Sequence, residues 1–389
     1  MSTATLAMDD RTRFWSLAAV ITHMLFIGLT LGISFPLTSL ILEAREAPGW
    51  QIGLAGSMPA LGILIVMPLA PRLVGRIGAI PAMCLGCVIG SIGLVLMPLL
   101  PQVEAWFVLR FLMGIGLALP WLVGETWINT VTREESRGRV VALYTAALFV
   151  GFGLGPILLN IVGLDGWTPF LIAIGAIVGA MLPLALAASK APKVGSHAES
   201  PSILKTARVA PLVMAGALVA GFAETASFSL FSVYGLRAGL DQGTALQILT
   251  VLIAGGVVLQ YPIGFVADRI SRRLVLAGLC GLTIVIAAIM PAAFGSLWSA
   301  YAVAFVLGGM VLGFYSLSLT ILGERYPVES LALANAAFLM LYQAGGMAGP
   351  ASAGAAMDIW DPHGFVVVLG GLALLLGIWA LLSRDKAGD

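Results

Sequence analysis

Long apolar runs separated by short polar stretches repeat along the chain, at roughly 14–42, 51–71, 79–99, 104–127, 140–162, 168–188, 209–236, 244–267, 273–292, 297–321, 331–357 and 364–383. A helix rises 1.5 Å per residue, so about 20 such residues span a hydrocarbon layer about 30 Å thick, and every run is long enough. A membrane barrel would need ten-residue strands alternating apolar and polar. These runs instead stay apolar throughout with interior Gly and Ala, which leaves helices as the spanning structure. The predicted fold class is all-α, with twelve transmembrane helices.

Composition agrees: 60% of the residues are hydrophobic, 10% are charged, and the mean hydropathy is +1.03. A soluble domain carries about 25% charge, and no water-soluble core of this size would absorb so much apolar surface. Arg11 and Arg13 precede a first run far longer than the core of a signal peptide and without a small-residue cleavage site, so that helix is expected to be retained. Lys and Arg concentrate on the cytoplasmic side of membrane proteins. With the N-terminus inside, only Arg45 and Arg237 of the 20 basic residues fall outside, and Arg110 falls within a span. Adding or removing one span would destroy that asymmetry. The sequence therefore predicts a multi-pass protein of the cytoplasmic (inner) membrane, embedded in the lipid bilayer, with both termini cytoplasmic. Cys84, Cys87 and Cys280 all lie inside spans, which implies packing rather than a disulfide framework.

The longest polar interruption, 189–208, carries Lys190, Lys193, His197, Lys205 and Arg208. It divides the chain into a six-helix bundle at 1–188, a cytoplasmic central loop, and a second six-helix bundle at 209–389. An offset of 193 residues lays Phe35-Pro36-Leu37 on Phe228-Ser229-Leu230 and Gly75-Arg76-Ile77 on Asp268-Arg269-Ile270. Later in each half, Gly151, Gly155 and Pro156 answer Gly345, Gly349 and Pro350. A duplicated six-helix unit suits transporters that bind substrate between halves and rock one against the other.

The loop between spans 8 and 9 reads Gly264-Phe-Val-Ala-Asp268-Arg269-Ile-Ser-Arg272-Arg273. Asp268 there can accept from arginines and from the amides of a neighbouring helix start, as a latch that breaks when the halves tilt. This string closely resembles the loop signature of the major facilitator superfamily, in which Gly264, Asp268, Arg269, Arg272 and Arg273 would form the conformational latch. The first-half copy has Gly75 where that family has Asp. Arg110-Phe-Leu-Met-Gly114-Ile-Gly116 resembles the family's second signature, and Gly151 to Pro156 resembles a signature of proton-exchanging exporters. Trp50-Gln51-x-Gly53, Trp121-x-x-Gly124-Glu125-x-Trp127 and Gln260-Tyr261-Pro262 add a resemblance to the YcaD-like branch over nearly the whole chain.

Four ionisable groups stand in or near spans and away from loops: His23, Arg110, Glu125 and Glu224. An ionisable group in hydrocarbon is costly and marks a functional site by default, so these are the proton-coupling candidates. Glu224 leads, because it is near the middle of span 7. His23 shares a polar stripe with Thr30 and Ser34, which fall within about 20° of it at 100° per residue. Glu125 lies near the cytoplasmic end of span 4, where Arg137 and Arg139 are candidate partners. Trp121, on the Arg110 face of span 4, Phe228 and Phe231 of span 7, and Asn335 and Tyr342 of span 11 complete a candidate substrate site with Thr30 and Ser34. Neither a cofactor loop nor a metal-ligand cluster is visible, and nothing in the sequence implies an enzyme or a nucleic-acid partner.

These features predict a monomeric secondary active transporter that moves a small organic solute by alternating access, coupled to protons, with efflux favoured. Uptake of a sugar-like or osmolyte-like solute is the alternative direction. A non-transporting membrane sensor or assembly protein is the rival class, and the missing acid at Gly75 is its best argument. Sparse charge within the spans excludes a highly charged substrate, since each buried charge needs an opposite partner.

Overall fold

The computed structural model describes residues 9–188, 210–326 and 328–383. The expected central loop, 189–208, and the basic residues Arg384 and Lys386 lie outside them. The first half holds α1 (Asp10–Ala44), α2 (Gly49–Val66), α3 (Ala70–Ile77), α4 (Ala79–Leu96), α5 (Val103–Val131), α6 (Arg137–Val162), α7 (Thr168–Gly179) and α8 (Met181–Leu186). The second holds α9 (Pro211–Arg237), α10 (Gln242–Val258), α11 (Gln260–Ala267), α12 (Arg272–Ala293), α13 (Leu297–Arg325), α14 (Val328–Ile359) and α15 (Gly364–Leu382). No strand occurs among the described residues. By length and composition, 11 helical segments can cross a membrane, and the 32-residue α14 holds the place of the eleventh expected span.

Two expected spans are broken, and a third is cut short, where the sequence analysis ran them straight. Span 6 divides into α7 and α8 and span 8 into α10 and α11, while span 2 ends early at Val66 and α3 forms largely in the expected loop after it. Pro68, Pro183 and Pro262 lie within a few residues of these breaks. Proline lacks an amide hydrogen and its ring crowds the carbonyl four residues earlier, so the helix yields just ahead of it. Elsewhere the ends follow ordinary rules. Gly78 (φ 93°) closes α3 and Gly163 (φ 77°) closes α6, in a region that only glycine enters freely. Asp241 caps α10 by accepting from the Thr244 amide, and this bonding holds its carboxyl below the usual aspartate range.

The chain forms two compact units. One comprises Met1–Leu37 and Leu61–Ala198, and the other Thr38–Ala60 and Glu199–Asp389. The end of α1 and the start of α2 thus belong with the second unit. Within the first unit α4 packs along α5 and against α7; within the second, α9 packs along α14, α10 along α13, and α12 along α15. The apolar windows of α1, α5, α9 and α13 are 61–78% buried, against 33–50% for the other candidate spans. These four helices are therefore the inner ones. The others expose apolar side chains such as Leu85, Val88 and Ile92 of α4 and Val367, Leu374 and Leu375 of α15, as lipid-facing helices do.

The same close helix contacts recur in both units. A Cβ on Gly28 would strike the Leu148 carbonyl, and one on Gly221 the Tyr342 carbonyl. Gly151 meets Leu25 as Gly345 meets Leu218, and Gly62 meets Phe111 as Gly255 meets Phe305. Every partner in these three pairs is displaced by 193 or 194 residues, the offset read from the sequence. Small residues let backbones approach in lipid, where no hydrophobic force draws helices together. Replacing Gly28 or Gly221 by Val is expected to cost about 3 kcal/mol or more, since the clash is with rigid backbone on both sides. Thermal unfolding of each variant in detergent would measure the loss, and an unchanged midpoint would refute the close approach.

Candidate functional site

Glu224 stands midway along α9, about 20 Å from either end at 1.5 Å per residue. Nearly every other position of α9 is enclosed. Between Leu212 and Gly235 only Ala215, Leu218, Glu224 and Thr225 keep partial exposure. The Tyr342 hydroxyl, from the facing helix α14, lies within hydrogen-bonding reach of the Glu224 carboxyl. On the Tyr342 ring stands Tyr315 of α13, edge to face with centroids 5.2 Å apart, and Phe338 stands against Tyr315 at 5.4 Å. The sequence placed Glu224 and Tyr342 in separate roles. The structure joins them, and it adds Tyr315.

Other candidates of this unit sit differently. Asn335 is half-buried one to two turns before Tyr342, and Phe228 is buried. Phe231 is fully enclosed in an aromatic cluster with Tyr234, Phe294 and Phe365, each ring centroid within 6.5 Å of its own.

The first unit holds a second carboxyl with an aromatic donor. The Trp121 indole donates to Glu125 Oε1 at 2.9 Å, one helical turn away on α5. Arg137 and Arg139, the partners expected from the sequence, make no such bond. The i, i+4 geometry on one helix brings Trp121 into range at little entropic cost, whereas a long arginine would have to be drawn in from beyond the helix end. Across from them the buried Tyr144 hydroxyl lies against Gly124, 2.6 Å from where a Cβ would be.

Arg110 is 1% exposed, so it does not snorkel to water. Its Nη1 donates to Ser34 Oγ at 3.1 Å, and its guanidinium lies 4.7 Å from the centroid of the Phe35 ring. A cation over an aromatic face is held by the ring quadrupole, which replaces part of the lost hydration. Thr30 turns its hydroxyl back to the Phe26 carbonyl at 2.9 Å. His23 is fully buried with Nδ1 2.8 Å from the Ala180 carbonyl, at the break between α7 and α8. Its ring thus satisfies a carbonyl that the broken helix leaves free.

At the junction of α11 and α12, Arg272 reaches Asp268 at 3.7 Å and makes a closer ion pair with Glu324 at the end of α13. Arg269 lies over the Phe265 ring at 3.3 Å and donates to the Phe265 carbonyl. Gly264 has open space where a Cβ would stand, so packing among the described residues does not require glycine there.

The Major Facilitator Superfamily profile matches residues 15–289 and 215–389. The chain belongs to this superfamily. This facilitator is accordingly a multi-pass membrane transporter, and curated relatives match more than nine-tenths of it. It is 26% identical over 369 residues to an uncharacterized MFS-type transporter of Enterobacter sp. (strain 638), covering 94% of each chain. It is 25% identical over 371 residues to the uncharacterized MFS-type transporter YfkF of Bacillus subtilis (strain 168), covering 92% of each. Among solved structures its fold is similar to that of the nucleoside transporter NupG, with TM-score 0.76, 14% identity, and 95% of this chain and 98% of that one covered. A bacterial homologue of the human lysosomal transporter Spinster, in an inward-facing and occupied conformation, gives TM-score 0.74 and 15% identity over 96% of each chain. The helical two-half architecture expected from the sequence is thus that of the facilitators.

The facilitator also has an ionic cluster that the sequence analysis passed over. In the second unit Arg237, the last residue of α9, donates from Nε and Nη2 to both Glu43 oxygens at 2.9 and 2.8 Å. Its Nη1 reaches Asp361 at 3.1 Å. Beside it the Asp358 carboxylate accepts from the amides of Gly49 and Trp50, the first two residues of α2, at 2.6 and 2.8 Å. A carboxylate on the free amides of a helix start is stabilised by their partial positive charge. One signal for the cluster was available: Arg237 is one of only two basic residues placed outside, beside an unassigned acid in each nearby loop.

Proposed function

We propose that this facilitator is a secondary active transporter of a small organic solute in the cytoplasmic membrane, with both termini cytoplasmic. It works by alternating access between six-helix bundles at 1–188 and 209–389 joined by the loop 189–208, within the YcaD-like branch of the superfamily. Proton movement is coupled through Glu224. The observation that carries this reading is a partly exposed carboxyl at the midpoint of an otherwise enclosed helix, with one neutral phenol beside it. A group so placed can be protonated or charged according to which side it is open to, and that is what coupling requires.

Glu125, with Trp121 and Tyr144, is a second titrating point in the first half. Arg110, Ser34 and Thr30 in the first unit, and Phe228, Asn335 and Tyr342 in the second, are each unit's own candidates for meeting the solute. His23 braces the α7–α8 break. Gly264, Asp268, Arg269, Arg272 and Arg273 form the inner latch, with Glu324, ion-paired to Arg272, as the acid of the neighbouring helix end. The cluster of Glu43, Arg237, Asp358 and Asp361 is its counterpart at the outer ends. Export is the favoured direction, though Gly151 and Gly155 are accounted for by packing against Leu25 and Gly32 and add little to it.

A thermal-shift screen against a solute library should yield a compound that raises the unfolding midpoint, since a ligand of the folded state alone stabilises it. Protein reconstituted in liposomes should then concentrate that compound against its gradient when a pH difference is imposed. Flux that only equilibrates the compound, whatever the pH difference, would dismiss secondary active transport.

A further inference from the structure

The first-half loop that lacks the latch acid folds into α3, and α3 is built differently from its counterpart in the second half. Of its eight residues only Ala70 and Val74 are buried, where α3 packs against α4 and α5. At 100° per residue Leu69, just before the helix, Leu73 and Ile77 form a neighbouring stripe about 80° wide, and Arg72 and Arg76 run along its outer edge within about 60°. Its own unit does not cover this stripe: Leu69 is 53% exposed and Ile77 38%, with Leu73 half-buried. Both arginines are exposed. An apolar stripe edged by cations, on a helix too short to stand alone, is the pattern of a segment that lies at a lipid surface.

The duplication shows what the two arginines replace. The offset of 193 residues lays Arg72, Gly75 and Arg76 on Phe265, Asp268 and Arg269. In the second unit the cations are used internally: Arg269 lies over the Phe265 ring, and Arg272 is ion-paired to Glu324 and Asp268. The first-half copy has neither the ring nor the acid, so three positions of net charge zero become three that carry +2. Two guanidiniums one turn apart repel each other and weaken the helix, a cost that an anion between them removes. The helices packed against α3 do not supply one. On α4 there is no charged side chain, and on α5 Glu104 stands at the far end while Glu125 is bonded to Trp121.

We propose that α3 is a lipid anchor, in which Arg72 and Arg76 hold the phosphate of an anionic phospholipid and Leu69, Leu73 and Ile77 lie against its acyl chains. Guanidinium forks match phosphate oxygens, and a choline headgroup would oppose them with a cation of its own. The lipid belongs to the cytoplasmic leaflet, because the loop between spans 2 and 3 is cytoplasmic in the orientation proposed above, and the negative potential of that leaflet draws basic segments to it. A small anion such as inorganic phosphate would satisfy the arginines and leave the apolar stripe in water. A lipid satisfies both.

The experiment is native mass spectrometry of the full-length protein in detergent, titrated with dioleoylphosphatidylglycerol or dioleoylphosphatidylcholine, which share their chains and differ in charge. Each arginine beside an anionic lipid surface adds roughly fivefold in affinity, so the tightest site of the wild type should favour the glycerol lipid by at least roughly tenfold, and Arg72→Gln with Arg76→Gln should erase that preference. Gly75→Asp keeps both arginines, adds an acid beside them and should cut the preference severalfold, which carries the test even where the double variant fails to fold. Arg137→Gln with Arg139→Gln, a pair that is also exposed and stands beside Glu134 and Glu135 at the start of α6, should leave it intact. Equal loss from the two arginine pairs would reassign the binding to diffuse attraction by basic loops and overturn the site, as would a wild type that holds the two lipids alike. Glycerophosphoglycerol, the headgroup without chains, should not displace the lipid at equal concentration; displacement would mean a small-anion site and overturn the lipid assignment.

Discussion

Replacing Glu224 by glutamine is expected to abolish pH-driven uphill transport in proteoliposomes, down to the level of protein-free vesicles, while exchange of labelled for unlabelled substrate continues. Glutamine keeps the size of the side chain and an oxygen able to accept from Tyr342, so the α9–α14 contact survives. What it cannot do is gain or lose a proton in the working range. If the carboxyl carries the coupled proton, the loaded carrier still crosses between its two states and only the link to the proton gradient is lost. The combination is diagnostic. Loss of both activities would point to a folding or binding role, and uphill flux equal to that of the wild type would take Glu224 out of the mechanism.

The second large effect is expected at the outer cluster. Arg237 and Glu43 side chains are 15% and 20% exposed and meet in a two-bonded arrangement, whereas Asp361 is 58% exposed and its bond is largely screened by solvent. Arg237→Ala leaves the Glu43 carboxylate half-buried without its partner, at a cost on the order of 2 kcal/mol, or about a thirtyfold shift in any equilibrium that opens this cluster. Ser57 reports on that opening. It is 1% exposed, and its hydroxyl accepts from the Ala351 amide at 3.0 Å, next to Pro350. In a protein with Cys84, Cys87 and Cys280 replaced, Ser57→Cys should react with maleimide many times faster once Arg237→Ala is added. Equal labelling rates would show that the cluster does not hold this end shut.

Hydropathy alone located the helices, because a span of lipid demands a fixed length of apolar residues whatever the fold. Charge counting sets their expected number, since each Arg-bearing loop constrains the parity of the spans. The early end of span 2 and the breaks in spans 6 and 8 were also written in the sequence, as Pro68, Pro183 and Pro262, but an apolar average is blind to a missing amide hydrogen. Sites fared less evenly. Glu224 and Arg110 stood out because charge in a span is rare. Their partners did not: Tyr342, Tyr315 and Ser34 are ordinary residues of apolar helices until the packing of α9 on α14 and of α1 on its neighbours brings them into range. Glu125 was assigned to arginines on grounds of charge, where a same-helix indole won on distance. The pairing of Arg237 with Glu43 joins residues 194 apart, which no local pattern encodes.

The amides of Gly49 and Trp50 wait for a carboxylate that lies 309 and 308 residues further along the chain. At about 5 to 20 residues per second, the first helical hairpin enters the bilayer about fifteen seconds to a minute before Asp358 is even synthesised. During that interval its turn must be kept soluble by water or by the insertion machinery. Nascent chains halted before α14 should consequently exchange the amide hydrogens of Gly49 and Trp50 faster than the finished protein does.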